Sequence, residues 1–283
     1  MTHADGSNVL VLIESFDDPR EAELAEAFMA DGYVIIDVDD RPRLDAYRHE
    51  IVKLVCRHLD CDLPADETAF LDSIHERVAV GDVNALRLFV FEQLNRTAWA
   101  RPSYLSLARS AVDRIVGNEL AMQNKVNVSI QMPNDVTSVL PVHADPWSAE
   151  TPYEVVEWLP LVDVYDTKAM FILPPEHNRT VRAAMSDLPD GGKSLDLFKM
   201  YEDKFRWVSV AYGQVLVFSP LLLHGNVMNE VPQTRWSLNT RLTGLFTPYT
   251  SDEKCLGRFY SPATVKIMSR IGMNFRAPTG FDG

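Results

Sequence analysis

The chain has 283 residues, 46% of them hydrophobic, and carries 27 basic against 40 acidic side chains, a formal charge of -13. This hydrophobic content is enough for one large core, while the acidic surplus repels phosphate backbones, so no nucleic-acid partner is expected. The three cysteines, Cys56, Cys61 and Cys255, include no CxxC pair and suit neither a disulfide framework nor a zinc ribbon. They read as free thiols in a reducing compartment, and the cytoplasm is the expected location. Met1 to Ser7 lacks the basic-then-apolar pattern of a signal peptide. No apolar run approaches the ~18 residues that span a membrane, so no membrane partner is expected either.

In chain order, Val9 to Ile13 is a short apolar run that suits an edge strand. Asp18-Pro19 reads as N-cap and first helical position, with Leu24, Ala25, Phe28 and Met29 at helical spacing and Gly32 as the stop. Tyr33 to Val38 predicts a strand. Leu44–Leu59, Asp66–Arg77, Val83–Trp99 and Tyr104–Val116 predict helices, so the first half is mainly helical.

The pattern changes near Glu119. Lys125 to Gln131 alternates strictly, with Lys125, Asn127, Ser129 and Gln131 on one side and Val126, Val128 and Ile130 on the other. Glu154–Val164, Ala169–Leu173, Val208–Ala211 and Val215–Ser219 read as strands, and Asp196–Phe205 as a helical insertion. Thr234 to Leu245 alternates again: Arg235, Ser237, Asn239 and Arg241 face one way, Trp236, Leu238 and Leu242 the other. Strands with one polar and one apolar face suit a barrel with a ligand-holding interior and a helix-covered exterior. The expected fold is therefore mainly β with helical cover (α+β), built on a double-stranded β-helix of the jelly-roll or cupin type. One domain over 1–283 is expected, with a helical cover at 18–118, a β-core at 119–250 and a helical or loop tail at 251–283.

The chemistry concentrates between His143 and Arg241. His143 and Asp145 are two apart, so on a strand both leave the same face. Alone this is weak, since His3-Ala4-Asp5 repeats the tripeptide in the polar N-terminal tail. His224 ends the apolar run Val215–Leu223, where an unpaired histidine needs a partner. Two histidines and a carboxylate can hold one face of an octahedral iron and leave the other open. Arg235 follows eleven residues after His224, with Ser237 on its face, and a guanidinium fork plus a hydroxyl suits a buried carboxylate. His49, His58 and His75 sit in helical patterns, and His177 is expected in a loop.

This order of HxD, distal histidine and Arg-x-Ser resembles the Fe(II)/2-oxoglutarate-dependent dioxygenases, most of all the phytanoyl-CoA dioxygenase superfamily. Phe28 to Ile35, Glu157 to Asp163 and Ala169 to Pro174 are similar to that superfamily's opening helix and strand and to the strands after its HxD. Pro174-Pro175-Glu176-His177 departs from its usual loop. The resemblance implies His143, Asp145 and His224 as iron ligands and as the catalytic set. It implies Arg235, assisted by Ser237, on the distal carboxylate of 2-oxoglutarate, and Trp158 as an aromatic wall of that pocket. Asn127 and Gln131 are further polar candidates there, because they share a face with Lys125 and Ser129. Asp145 is a carboxylate, which argues against a halogenase variant.

The implied cofactors are Fe(II), 2-oxoglutarate and O2, and the implied reaction is hydroxylation of an unactivated C–H bond with release of succinate and CO2. The stretches 235–241 and 245–249, with Asn226, are similar to oxygenases of bacterial carbohydrate and aminoglycoside-type pathways, which implies a small polar, sugar- or amino-sugar-like substrate. Arg241, Asn239, Ser148 and Asp135 are its candidate contacts, with Asn134, Thr137 and Ser138 also polar near the HxD. A cupin-like metal-dependent sugar isomerase or epimerase, in which Arg235 is structural, and a non-catalytic ligand-binding barrel remain open alternatives. The sequence leaves the oligomeric state open, a homodimer among the options.

Overall fold

The computed structural model describes residues 18–185 and 195–277. The strand expected at 9–13 and the second HxD copy at His3–Asp5 lie outside them. Asp18 opens helix α1 (Pro19–Asp31) with a capping box: its carboxylate accepts from the Arg20 and Glu21 amides, and Glu21 accepts from the Asp18 amide. Gly32 ends it at φ 74°, and a Cβ there would lie 2.5 Å from Leu222 Cδ1, so both backbone and space require glycine. Strand β1 (Tyr33–Asp37) follows.

Helices α2 (Arg41–Leu59), α3 (Glu67–Asp72), α4 (Val83–Asn95), α5 (Ala100–Leu105) and α6 (Arg109–Ile115) complete the first half. The helices expected at 66–77, 83–99 and 104–116 are shorter or broken, for local reasons. The Ser73 hydroxyl donates back to the Ala69 carbonyl at 2.7 Å, and the chain continues as a 3-10 turn at Ile74–Glu76. Asn95 donates to the carbonyls of Phe91 and Val126 (2.8 and 2.9 Å), tying the end of α4 to the next strand region. The Ser106 hydroxyl donates to the Ser103 carbonyl at 2.7 Å between α5 and α6.

The second half supplies strands β2 (Leu120–Gln123), β3 (Asn127–Gln131), β4 (Glu154–Pro160) and β5 (Met170–Ile172), then helices α7 (Pro175–Met185) and α8 (Leu195–Met200). Strands β6 (Arg206–Val208), β7 (Gln214–Phe218), β8 (His224–Gly225), β9 (Arg235–Gly244) and β10 (Tyr260–Thr264) and helix α9 (Ile267–Asn274) follow. His177 falls in α7 and not in the expected loop: the Pro174 carbonyl accepts from the His177 and Asn178 amides, starting a helix straight after the strand.

The pairings between these strands are antiparallel. The large sheet runs β1-β7-β4-β9-β2-β10, with β3 also paired to β9; the small one runs β6-β5-β8. Strand β1, from the helical segment, and β10, from the tail, thus form the two ends of the large sheet. The alternation seen in the sequence sorts side chains between two cores. Val128, Ile130, Trp236, Leu238 and Leu242 pack outward with Leu44, Ile51, Leu86 and Val90 of the helices. Val156, Trp158, Leu216 and Phe218 pack inward against Met170, Ile172 and Val208 of the small sheet. Phe171 and Leu173 turn the other way, under Val181, Met185 and Phe198. The result is an α+β molecule with a double-stranded β-helix core, as the alternating strands require. Among the described residues no helix is long and apolar enough to cross a membrane.

Candidate metal centre

His224 begins β8, and its backbone pairs reciprocally with that of His143: each amide donates to the other's carbonyl, at 2.9 and 3.0 Å. The rings lie 4.2 Å apart between centroids. Asp145 is not on a strand. Ala144 is extended, but Asp145 opens a 3-10 turn through Ser148, and its amide donates to the Pro220 carbonyl at 3.1 Å. The carboxylate still reaches the histidines: Oδ1 lies 3.5 Å from His143 Nε2 and 3.6 Å from His224 Nε2. One ligand atom from each of the three residues lies within 4.8 Å of the others, a spacing that one metal ion can bridge.

The histidine tautomers follow from the backbone. His143 Nδ1 lies 2.8 Å from the Pro141 carbonyl and His224 Nδ1 2.9 Å from the Leu222 carbonyl. A carbonyl only accepts, so both Nδ1 atoms carry the proton and both Nε2 lone pairs face Asp145. Burial, and then the neighbouring His143, push the His224 pKa down to about 4, which keeps it a neutral ligand. Burial opposes the charge on Asp145, but its polar neighbours His143, His224 and Arg241 outweigh it and hold the carboxyl well below its usual range.

The triad lines a cavity of about 140 Å³ between the two sheets. Val156 and Trp158 of β4, Met170 of β5 and Phe218 of β7 form its apolar wall; Ser129 of β3 and Arg235, Asn239 and Arg241 of β9 form the polar one. Arg235 is 6% exposed and, among the described residues, has no carboxylate within salt-bridge distance. Its Nε is buried without a partner, and burial lowers its pKa to about 10. The Ser237 hydroxyl and Gln131 Oε1 are likewise buried and unpartnered. Gln131 stands opposite Arg235 and Ser129 opposite Ser237 in the β3–β9 register. A guanidinium and a hydroxyl left orphaned beside a cavity are costly unless an anion completes them, and these two donors fit a carboxylate, whereas Gln131 Oε1 only accepts and needs a donor. Likewise, two neutral histidines and one carboxylate with one face open fit a divalent iron.

Of the residues singled out in the sequence, the cavity brings together His143, Asp145, His224, Trp158, Arg235, Asn239 and Arg241. Ser237 and Gln131 are fully buried beside it, and the Gln131 amide donates to the Val227 carbonyl at 2.6 Å. Asn127 donates to Asn239 Oδ1 at 2.9 Å and so stands behind the wall. Ser148 is exposed on the 3-10 turn. Asp135 lines a separate cleft with Thr137 and Ser138, and its Oδ1 accepts from both the amide and the hydroxyl of Thr137. Sequence reasoning missed the apolar wall of Val156, Met170 and Phe218, although the parity of Trp158 along β4 marks Val156. It also missed Glu150, Glu154, Lys254 and Tyr260 around Arg241, for which the sequence has no local signal.

The phytanoyl-CoA dioxygenase family model matches residues 28–236, a span that contains the triad and Arg235. The chain belongs to the phytanoyl-CoA dioxygenase family. Fe(II), 2-oxoglutarate and O2 are the cofactors that go with this family and with the donor set described. No curated protein matches the chain. Among solved structures it is similar to a non-heme monooxygenase, a ThoJ–nickel complex, at 18% identity over 87% of this chain and 85% of that one, with TM-score 0.55. The non-heme alpha-ketoglutarate-dependent carbocyclase SnoK from nogalamycin biosynthesis is 15% identical over 86% and 96%, with TM-score 0.51. AviO1 from Streptomyces viridochromogenes Tue57 is 18% identical over 82% and 98%, with TM-score 0.50. At these identities the likeness establishes the shared fold.

Proposed function

We propose that this member of the phytanoyl-CoA dioxygenase family hydroxylates an unactivated C–H bond of a small polar metabolite. His143, Asp145 and His224 would hold the iron, and Arg235 the distal carboxylate of 2-oxoglutarate. The observation that carries this reading is Arg235: a buried cation lining the same cavity as the triad, with no protein anion among the described residues to neutralise it. A metal-dependent isomerase that needs no anionic co-substrate leaves that charge unexplained. Iron(II) and 2-oxoglutarate, when bound, supply activation of dioxygen coupled to decarboxylation of the co-substrate to succinate.

The protein's part is placement. The backbone carbonyls of Pro141 and Leu222 hold the histidine tautomers. The Arg235 fork pairs with a carboxylate, with Ser237 and Gln131 beside it. Val156, Trp158, Met170 and Phe218 keep that pair dry, which strengthens it. A cavity of about 140 Å³ is smaller than the ~300–1,000 Å³ of ordinary ligand pockets. It suits a short dicarboxylate, so the oxidised substrate would meet the centre from outside it. The carbocyclase chemistry named for SnoK is a neighbouring outcome of the same C–H oxidation.

Purified protein with Fe(II) is expected to release succinate from 2-oxoglutarate slowly without substrate, and faster with a sugar or amino-sugar that fits. Arg235→Ala should raise the 2-oxoglutarate requirement about 10- to 100-fold, the cost of leaving the carboxylate without its charged hydrogen bonds (~1.5–3 kcal/mol). No turnover by the wild type, or an unchanged requirement in the variant, refutes the assignment.

A further inference from the structure

Resting on the metal-centre reading above, we propose that Arg241 is a positioning residue that makes Asp145 bind metal through one oxygen only. The Asp145 carboxylate is divided. Oδ1 faces the two histidine Nε2 atoms at 3.5 and 3.6 Å, while Oδ2 accepts a hydrogen bond of 2.6 Å from Arg241 Nη2. A carboxylate with both oxygens free can chelate, which would use one of the three positions that the triad leaves open. Holding Oδ2 in a charge-assisted hydrogen bond removes that option.

Arg241 is itself held. Its Nε lies 3.3 Å from Glu154 Oε1 and 3.9 Å from Glu150 Oε1, and Nη1 lies 3.5 Å from Gln123 Oε1. Glu154, its side chain fully buried, accepts from the Tyr260 hydroxyl, and Glu150 pairs with Lys254. The Arg241 side chain is 16% exposed, so this is no solvated surface pair. Three carboxyl groups and an amide thus surround one guanidinium, although its Nε makes no hydrogen bond among the described residues. The same geometry explains why β9 carries two arginines into one cavity: Arg235 meets an external anion, Arg241 an internal one.

The test is Co(II) binding to the metal-free full chain, followed by dialysis and by the visible absorption of the bound ion. Arg241→Gln should alter the absorption bands of the bound ion as Asp145 turns both oxygens to the metal. Arg241→Lys, which keeps one charged donor, should recover the wild-type bands. A purely structural arginine would shift the melting temperature and leave the spectrum of the bound ion unchanged. Wild-type bands in Arg241→Gln overturn the proposal and leave the metal-centre reading intact. Failure of the wild type itself to take up Co(II), with Asp145→Ala no different, overturns both. Should Arg241→Gln not fold, a crystal structure of the wild type with Ni(II) decides. Asp145 bound through Oδ1 with Arg241 on Oδ2 supports the proposal, and a chelating Asp145 refutes it.

Discussion

Glu157 is the least compensated side chain of the helix–sheet core. It is fully buried on the face of β4 opposite the cavity, and neither carboxylate oxygen has a partner among the described residues; the nearby Tyr47 hydroxyl has none either. Burial, with a contribution from Asp39, raises its pKa well above the ordinary 4.5, so the fold keeps it protonated. The consequence for stability has a definite sign. Below the unfolded pKa the group is neutral in both states and adds no pH dependence. As pH rises above it, the unfolded chain loses the proton and the folded one does not, so stability falls by ~1.4 kcal/mol per pH unit until the folded group also ionises. Glu157→Gln removes that slope. As pH rises above the unfolded pKa the wild type should lose stability relative to the variant, seen as a gap in melting temperature that widens with pH. Parallel pH–stability curves for the two proteins refute the buried neutral carboxyl. Asp145 is the opposite solution to a buried carboxylate: there the charge is kept and paired with Arg241.

Among the elements, β8 is two residues long yet sets the metal centre. A Cβ on Gly225 would lie 2.7 Å from the Leu140 carbonyl oxygen, 3.0 Å from Phe171 Cζ and 3.1 Å from the Pro141 carbonyl oxygen. The last of these orients the His143 ring. Gly225→Ala should therefore push the His143 segment off β8, weakening Co(II) at least about 10-fold with only the ~1–3 kcal/mol loss typical of overpacking. Wild-type metal affinity in that variant would show that the close approach is incidental. Nothing in Leu223-His224-Gly225-Asn226 announces this contact, because its partners are residues 140, 141 and 171. Strands β3 and β9 were legible because parity is a local property: Arg235, Asn239 and Arg241 face the cavity and Trp236, Leu238 and Leu242 the helices, as the alternation requires. The lengths of α3, α4 and α5 were not legible, since hydrogen bonds from Ser73, Asn95 and Ser106 end or divide helices that periodicity alone would continue. Arg241 was recognised as facing the cavity but not as bound to Asp145, because that contact spans 96 residues.

For the molecule as a whole, the C-terminal segment belongs to the site's support. Strand β10 pairs with β2, and its Tyr260, fully buried, donates to Glu154 beneath Arg241. Removing 251–283 exposes the β2 edge and deletes an aromatic side chain of the kind whose loss costs ~3–5 kcal/mol. The truncated chain should melt at least several degrees lower and bind Co(II) more weakly than the full chain; equal melting and affinity would make the segment dispensable. The family model matches residues 28–236, ending just inside β9, so this support lies outside the matched span. Strand β9 limits how such a site can change over evolutionary time. A single residue inserted into or deleted from it would turn Arg235, Asn239 and Arg241 into the helical core and bring Trp236 and Leu238 into the cavity. Point changes along β9 can retune the chemistry one group at a time, but its length is fixed. Insertions and deletions can collect only in the connections at either end, so new substrates are reached by lengthening loops and new chemistry by substitution.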